Sequence, residues 1–73
     1  MKKISVVIAG RHFTSITLEE EFYDLLQQIA VEKKCSINSL VTEIDMKRDD
    51  DKNLSSAIRV YLLQHLKDKI KSL

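Results

Sequence analysis

Between residues 13 and 18 the side chains alternate strictly, with Thr14, Ile16 and Leu18 on one face and Phe13, Ser15 and Thr17 on the other. That is the period of a strand with one side turned to a core, so Ile16 and Leu18 point inward. The period then changes. Leu18, Phe22, Leu25, Leu26 and Ile29 recur at helical spacing and form one apolar stripe. The helix is predicted to begin at about Glu19: Thr17 followed by Glu20 has the form of a capping box, and Glu19, Glu20 and Glu21 suit the positive end of a helix dipole. Lys33 and Lys34 close the helix, where positive charge complements the dipole. Ser36 is the expected N-cap of a short second helix with the stripe Ile37, Leu40, Val41 and Ile44.

The polar run from Lys47 to Lys52 breaks this periodicity and reads as a solvated loop, with Asn53 as the cap of a third helix from about Leu54 to Ser72. Leu54, Ile58, Tyr61, Leu62, Leu66 and Ile70 form one face of that helix, and Val60 and Leu63 widen it beyond what one interface needs. Upstream, Ile4–Ala9 is a β-branched run bounded by the only glycine, Gly10, and reads as a strand or an extended arm. If residues 13–18 are a lone strand, nothing else in the chain pairs with it, and a second copy is required. Pairing of residues 4–9 beside it would instead make a dimeric ribbon four strands wide and turn the sheet into an oligomer interface, since a groove that admits two strands could not take it.

Size points toward self-association as well. Seventy-three residues with one cysteine, Cys35, and no cysteine-histidine cluster bury little apolar surface for independent stability. A single domain and an oligomer are expected. The lone cysteine excludes an intrachain disulfide and fits a cytoplasmic setting, and the longest apolar run is too short to span a bilayer or, after Met1-Lys2-Lys3, to act as a signal peptide. Net charge is +1, but Lys2, Lys3 and Arg11 occupy the first twelve residues without an acid, so an anion-binding face would be built there, with Lys33 and Lys34 as further candidates.

The order of strand, helix, Ser-capped turn and second helix in ITLEEEFYDLLQQIAVEKKCSINSLVTEI, residues 16–44, resembles the Arc- and MetJ-like ribbon-helix-helix DNA-binding proteins. The longer pattern AGRHFTSITLEEEF, NSLVTEID and NLSSAIRVYLL is similar to a bacterial subfamily of small ribbon-helix-helix proteins with an added third helix. The resemblance implies a mostly α fold with a short β-ribbon: an intertwined homodimer whose strands pair into an antiparallel ribbon above the helices, plus a C-terminal helix. Residues 1–12 would be an N-terminal strand or arm, residues 13–48 the core, and residues 53–73 the third helix.

It also implies a double-stranded DNA partner and transcription regulation, with the ribbon in the major groove. By position, Phe13, Ser15 and Thr17 would face the bases, with phenylalanine where the subfamily leads one to expect arginine. Lys2, Lys3 and Arg11 would meet phosphates, as would the helix end at Ser36, Asn38 and Ser39. Each signal also has a plainer reading: Phe13 packs against residues 4–9 or another protomer, Ser36 only caps, Thr17 only caps, and the lysines only solubilise. An oligomerisation or protein-interaction scaffold, assembled as dimers of dimers, is the alternative function.

An enzyme is not expected, because His12, Cys35 and His65 have no catalytic or metal-binding spacing. Cys35 reads as a small buried side chain, and His65 as a residue at the rim of an interface. Asp49–Asp51 lacks the glycine and terminal glutamate of a calcium loop. No cofactor or small-molecule substrate is implied.

Overall fold

A computed structural model describes residues 1–8, 12–48 and 53–71. The chain runs β1 (Lys2–Ile8), β2 (His12–Leu18), α1 (Glu20–Glu32), α2 (Ile37–Lys47) and α3 (Leu54–Lys71). The two strands pair antiparallel over their whole length, from Lys2 opposite Leu18 to Ile8 opposite His12. The expectation that residues 13–18 have no partner in their own chain is therefore overturned. The ribbon is an intrachain hairpin, because Ile4, Val6 and Ile8 repeat the two-residue period of Ile16 and Leu18 and bring a second apolar face to the same core. Dimerisation is not needed to pair β2.

That inward face packs on the helices. Val6, Ile16 and Leu18 are buried with Leu26, Ile29 and Ala30 of α1, Leu40, Val41 and Ile44 of α2, and Leu54, Ala57, Ile58 and Leu62 of α3. Phe22, Tyr23, Leu25, Cys35, Ile37 and Tyr61 close the margins of the cluster. The stripes of α1 and α2 are those their spacing predicts. The face of α3 is narrower than expected: Leu66 and Ile70 are exposed along with Val60 and Leu63, and the small Ala57 takes a buried place instead.

The ends of the helices follow their local chemistry, with one exception. The Ser36 hydroxyl accepts the Ser39 N–H at 3.0 Å, and the Asn53 carboxamide oxygen accepts the Ser56 N–H at 2.8 Å, as N-caps do. The capping box at Thr17 and Glu20 does not form. Thr17 is still in β2 with its side chain exposed, α1 starts at Glu20, and the N-cap Glu19 makes no side-chain cap bond. The strand pairing extends one residue too far for Thr17 to turn back on the helix. At the other end of α1, Cys35 N–H reaches Ala30 C=O and Lys34 N–H reaches Val31 C=O, both at 3.0 Å, while Lys34 adopts φ 56°. This pair of bonds closes α1 in a Schellman turn, with lysine in the left-handed position that glycine usually fills.

Lys47 belongs to α2 rather than to a loop, and Arg48 caps it. The acidic run 49–51 lies outside the described residues, as do Arg11 and the last two residues.

Candidate nucleic-acid interface

Residues opposite each other in an antiparallel pair project to the same side of the sheet. The outer face of the hairpin therefore carries three cross-strand pairs: Lys3 with Thr17, Ser5 with Ser15, and Val7 with Phe13. All but Val7 have exposed side chains on this face, and Phe13 is 82% exposed. Phe13 does not fold down on β1. The three ribbon residues chosen from the sequence are thus brought together on one open surface. Ser5 and Val7 on the same surface were missed, although the alternation of Ile4, Val6 and Ile8 would have placed them there. The two strands carry Lys2 and Lys3 and no carboxylate.

The free edges of the two strands are treated differently. On β1, the Asn38 carboxamide accepts the Val7 N–H at 2.8 Å and donates to the Val7 carbonyl at 2.9 Å, and Thr42 adds a second donor to that carbonyl at 3.3 Å. Helix α2 thereby blocks this edge and fixes its own N-terminus beside the ribbon. On β2, the Arg59 guanidinium donates to the Thr17 carbonyl at 3.4 Å and to Glu19 Oε1 at 2.9 Å, tying α3 to the junction between ribbon and α1. A groove of about 440 Å³ runs beside the rest of this edge, between Ser15 and the first turn of α3. Arg59 was also missed from sequence. A single arginine within a helix gives no local sign of a carbonyl partner 42 positions away.

The remaining candidates divide. Lys2 lies at the open end of the hairpin with its ammonium 5.4 Å from the Tyr23 ring centroid, while Lys3 is on the outer face. Ser36 and Ser39 cap α2, and the Ser36 hydroxyl also donates to that of Ser39 at 3.0 Å. The side chain of Asn38 is engaged by Val7, so only its backbone N–H, together with that of Ile37, faces outward from the first turn. Lys33 is elsewhere: its ammonium is 3.5 Å from Glu43 and 5.5 Å from the Tyr61 ring centroid, and these contacts raise its pKa, the Tyr61 hydroxyl most and Glu43 less. It takes no part in the ribbon face.

Three carboxylates brace the helices beneath the ribbon. Glu19 titrates below its ordinary range, held down first by its own backbone N–H and next by Arg59. Glu32 is lowered mainly by Lys69, 2.6 Å away, and Glu43 mainly by Lys47 at 3.2 Å. His65 is half-buried, and its Nε2 stands 3.5 Å from Glu32, close enough for attraction but without a hydrogen bond that satisfies it. Among the described residues no three of His, Cys, Asp and Glu are grouped to hold a metal ion, and no helix is long and apolar enough to cross a membrane.

A hairpin with an open outer face, backed by a capped two-helix unit, has a counterpart among known families. The family model for the ribbon-helix-helix domain matches residues 1–66. The chain belongs to the ribbon-helix-helix domain family. Its two-stranded antiparallel sheet followed by three helices is that domain with a C-terminal helix added. Ribbon-helix-helix domains are typically found in DNA-binding transcription regulators. The chain has no significant match among curated proteins or among solved structures.

Proposed function

We propose that this protein is a DNA-binding transcriptional regulator that acts as a homodimer in the cytoplasm, each protomer docking its β1–β2 hairpin in the major groove. The observation that carries this reading is the open outer face of a ribbon only two strands wide, the width that the groove admits. Lys3, Phe13, Ser15 and Thr17 meet base edges. Lys2, Arg11 and the first turn of α2 at Ser36, Asn38 and Ser39 meet phosphates, with the Val7–Asn38 clamp holding that turn beside the ribbon. Neither cofactor nor small-molecule substrate enters this reading.

The test is titration of the full chain with duplex DNA over a range of salt. Neutralising Lys2 and Arg11 should weaken binding to all sequences alike and flatten the salt dependence, because fewer counterions are released. An unchanged slope would remove these residues from the interface.

The second reading, an oligomerisation scaffold, draws support from the open β2 edge and the exposed Phe13 ring. Two β2 edges paired across a twofold axis would give a four-stranded sheet, too wide for the groove. Phe13→Arg separates the two. It adds a charge and a guanine reader if the face meets DNA, and it disrupts assembly if the ring is packed between protomers.

A further inference from the structure

We infer that the outer face of the hairpin reads a graded base pattern. The Val7–Phe13 pair contacts the C5-methyl group of thymine, and Lys3 contacts a guanine about four base pairs away. This rests on the DNA-binding reading above and goes on to name which bases are read, and by which residues.

The register carries the argument. Val7 directs its N–H and C=O away from β2, to Asn38, so Val7 and Phe13 form a non-hydrogen-bonded pair, the kind in which side chains approach most closely. Isopropyl and phenyl groups therefore stand side by side at the turn end of the face, and the phenyl is 82% exposed. Nothing polar in a major groove complements such a pair. The thymine methyl does, and it is the apolar group that the groove edge of an unmodified base pair presents.

Two residues along, Ser5 and Ser15 lie opposite each other. Hydroxyls both donate and accept, so this step tolerates any base pair. Two residues further, Lys3 lies opposite Thr17 and brings the one cation among the described residues of this face. An ammonium only donates, and the O6 and N7 acceptors of guanine are its best match. Strand residues two apart are separated by roughly 7 Å, close to two base-pair rises of about 3.4 Å each. From Val7–Phe13 to Lys3–Thr17 is therefore about four base pairs.

The experiment selects preferred sites from a randomised duplex library with the full chain, then modifies the selected site one base at a time. Thymine should be enriched at one end and guanine about four base pairs on, with little preference between them. Replacing that thymine by uracil, which removes only the methyl, should weaken binding about three- to tenfold. Cytosine should lose the contact and 5-methylcytosine should retain it.

Phe13→Ala, at a site exposed enough to leave folding intact, should erase the difference between thymine and uracil while keeping the salt slope. Lys3→Ala should relax the guanine preference. Equal affinity for thymine and uracil sites overturns the inference alone, and a preference for 5-methylcytosine over thymine overturns thymine as the base read. Absence of binding to any duplex at low salt overturns it together with the DNA-binding reading.

Discussion

Asn38 and Val7 are joined as two peptides would be: the side-chain amide of one accepts the N–H of the other at 2.8 Å and returns a donor to its carbonyl at 2.9 Å. One residue of α2 thus behaves as a one-residue third strand on β1. It leaves β2 as the edge open to pairing and sets the angle between ribbon and helix. Asn38→Ala should cost about 1–2 kcal/mol, two modest hydrogen bonds at a solvent-accessible site. Amide exchange checks it residue by residue. The Val7 N–H should lose protection in the variant, and unchanged exchange there would show that the clamp contributes nothing.

Much of this fold is legible in the chain, because the signals are local. Ser36 and Asn53 cap the helices they precede, and the stripes Leu26–Ile29 and Leu40–Val41–Ile44 face the core as their spacing demands. What was misread depends on long-range pairing. The run of four apolar residues from Val6 to Ala9 hides the two-residue period of β1, so its pattern alone leaves an extended arm and a strand paired beside β2 both open. Once β1 is in place, Thr17 is committed to the ladder and cannot cap α1. The spacing places Asn38 at a helix start but gives no sign that its side-chain amide is taken up by Val7, a contact that only the folded hairpin creates. Phe13, Ser15 and Thr17 could be grouped from alternation alone, as could Ser5 and Val7 once β1 was read as a strand.

Lys34 holds φ 56° in the turn that ends α1. A side chain with a Cβ is strained there by roughly 1 kcal/mol, and glycine is not. Lys34→Gly should stabilise the fold by up to about 0.5 kcal/mol, the relief of strain being offset in part by the greater freedom of glycine in the unfolded chain. Lys34→Val should destabilise it by more than that, since a β-branched residue tolerates the left-handed region least. Urea midpoints of the two variants read the difference in sign directly.

Stability should also fall on the acid side. Glu19, Glu32 and Glu43 are all depressed below the ordinary glutamate value of 4.5. A carboxylate lowered by folding contributes stability above its unfolded pKa and loses it as pH falls through the folded value. The thermal midpoint should hold near neutrality and decline below about pH 4.5. Glu19 and Glu32 tie α1 to Arg59 and Lys69 of α3, so α3 should loosen first. The double variant Glu19→Gln, Glu32→Gln should show a shallower acid decline than the parent. An identical decline would place the acid-sensitive groups elsewhere.

The outer side of α3 gives the last prediction. Leu54, Ala57, Ile58 and Leu62 are buried on one side of this helix, while Val60, Leu63, Leu66 and Ile70 are exposed on the other. A helix apolar on both sides needs cover on both. If the cover is a second copy of the chain, unfolding is coupled to dissociation and the midpoint rises with protein concentration. Replacing Val60 and Leu63 by glutamate should then reduce the solution mass to the next smaller species. Folding should survive, because these side chains are 55% and 53% exposed and surface substitutions usually stay within about 0.5 kcal/mol. Light scattering and a far-ultraviolet spectrum on the same sample separate the outcomes. An unchanged mass would leave the stripe as plain surface, and loss of the helical spectrum would show that it belongs to the core.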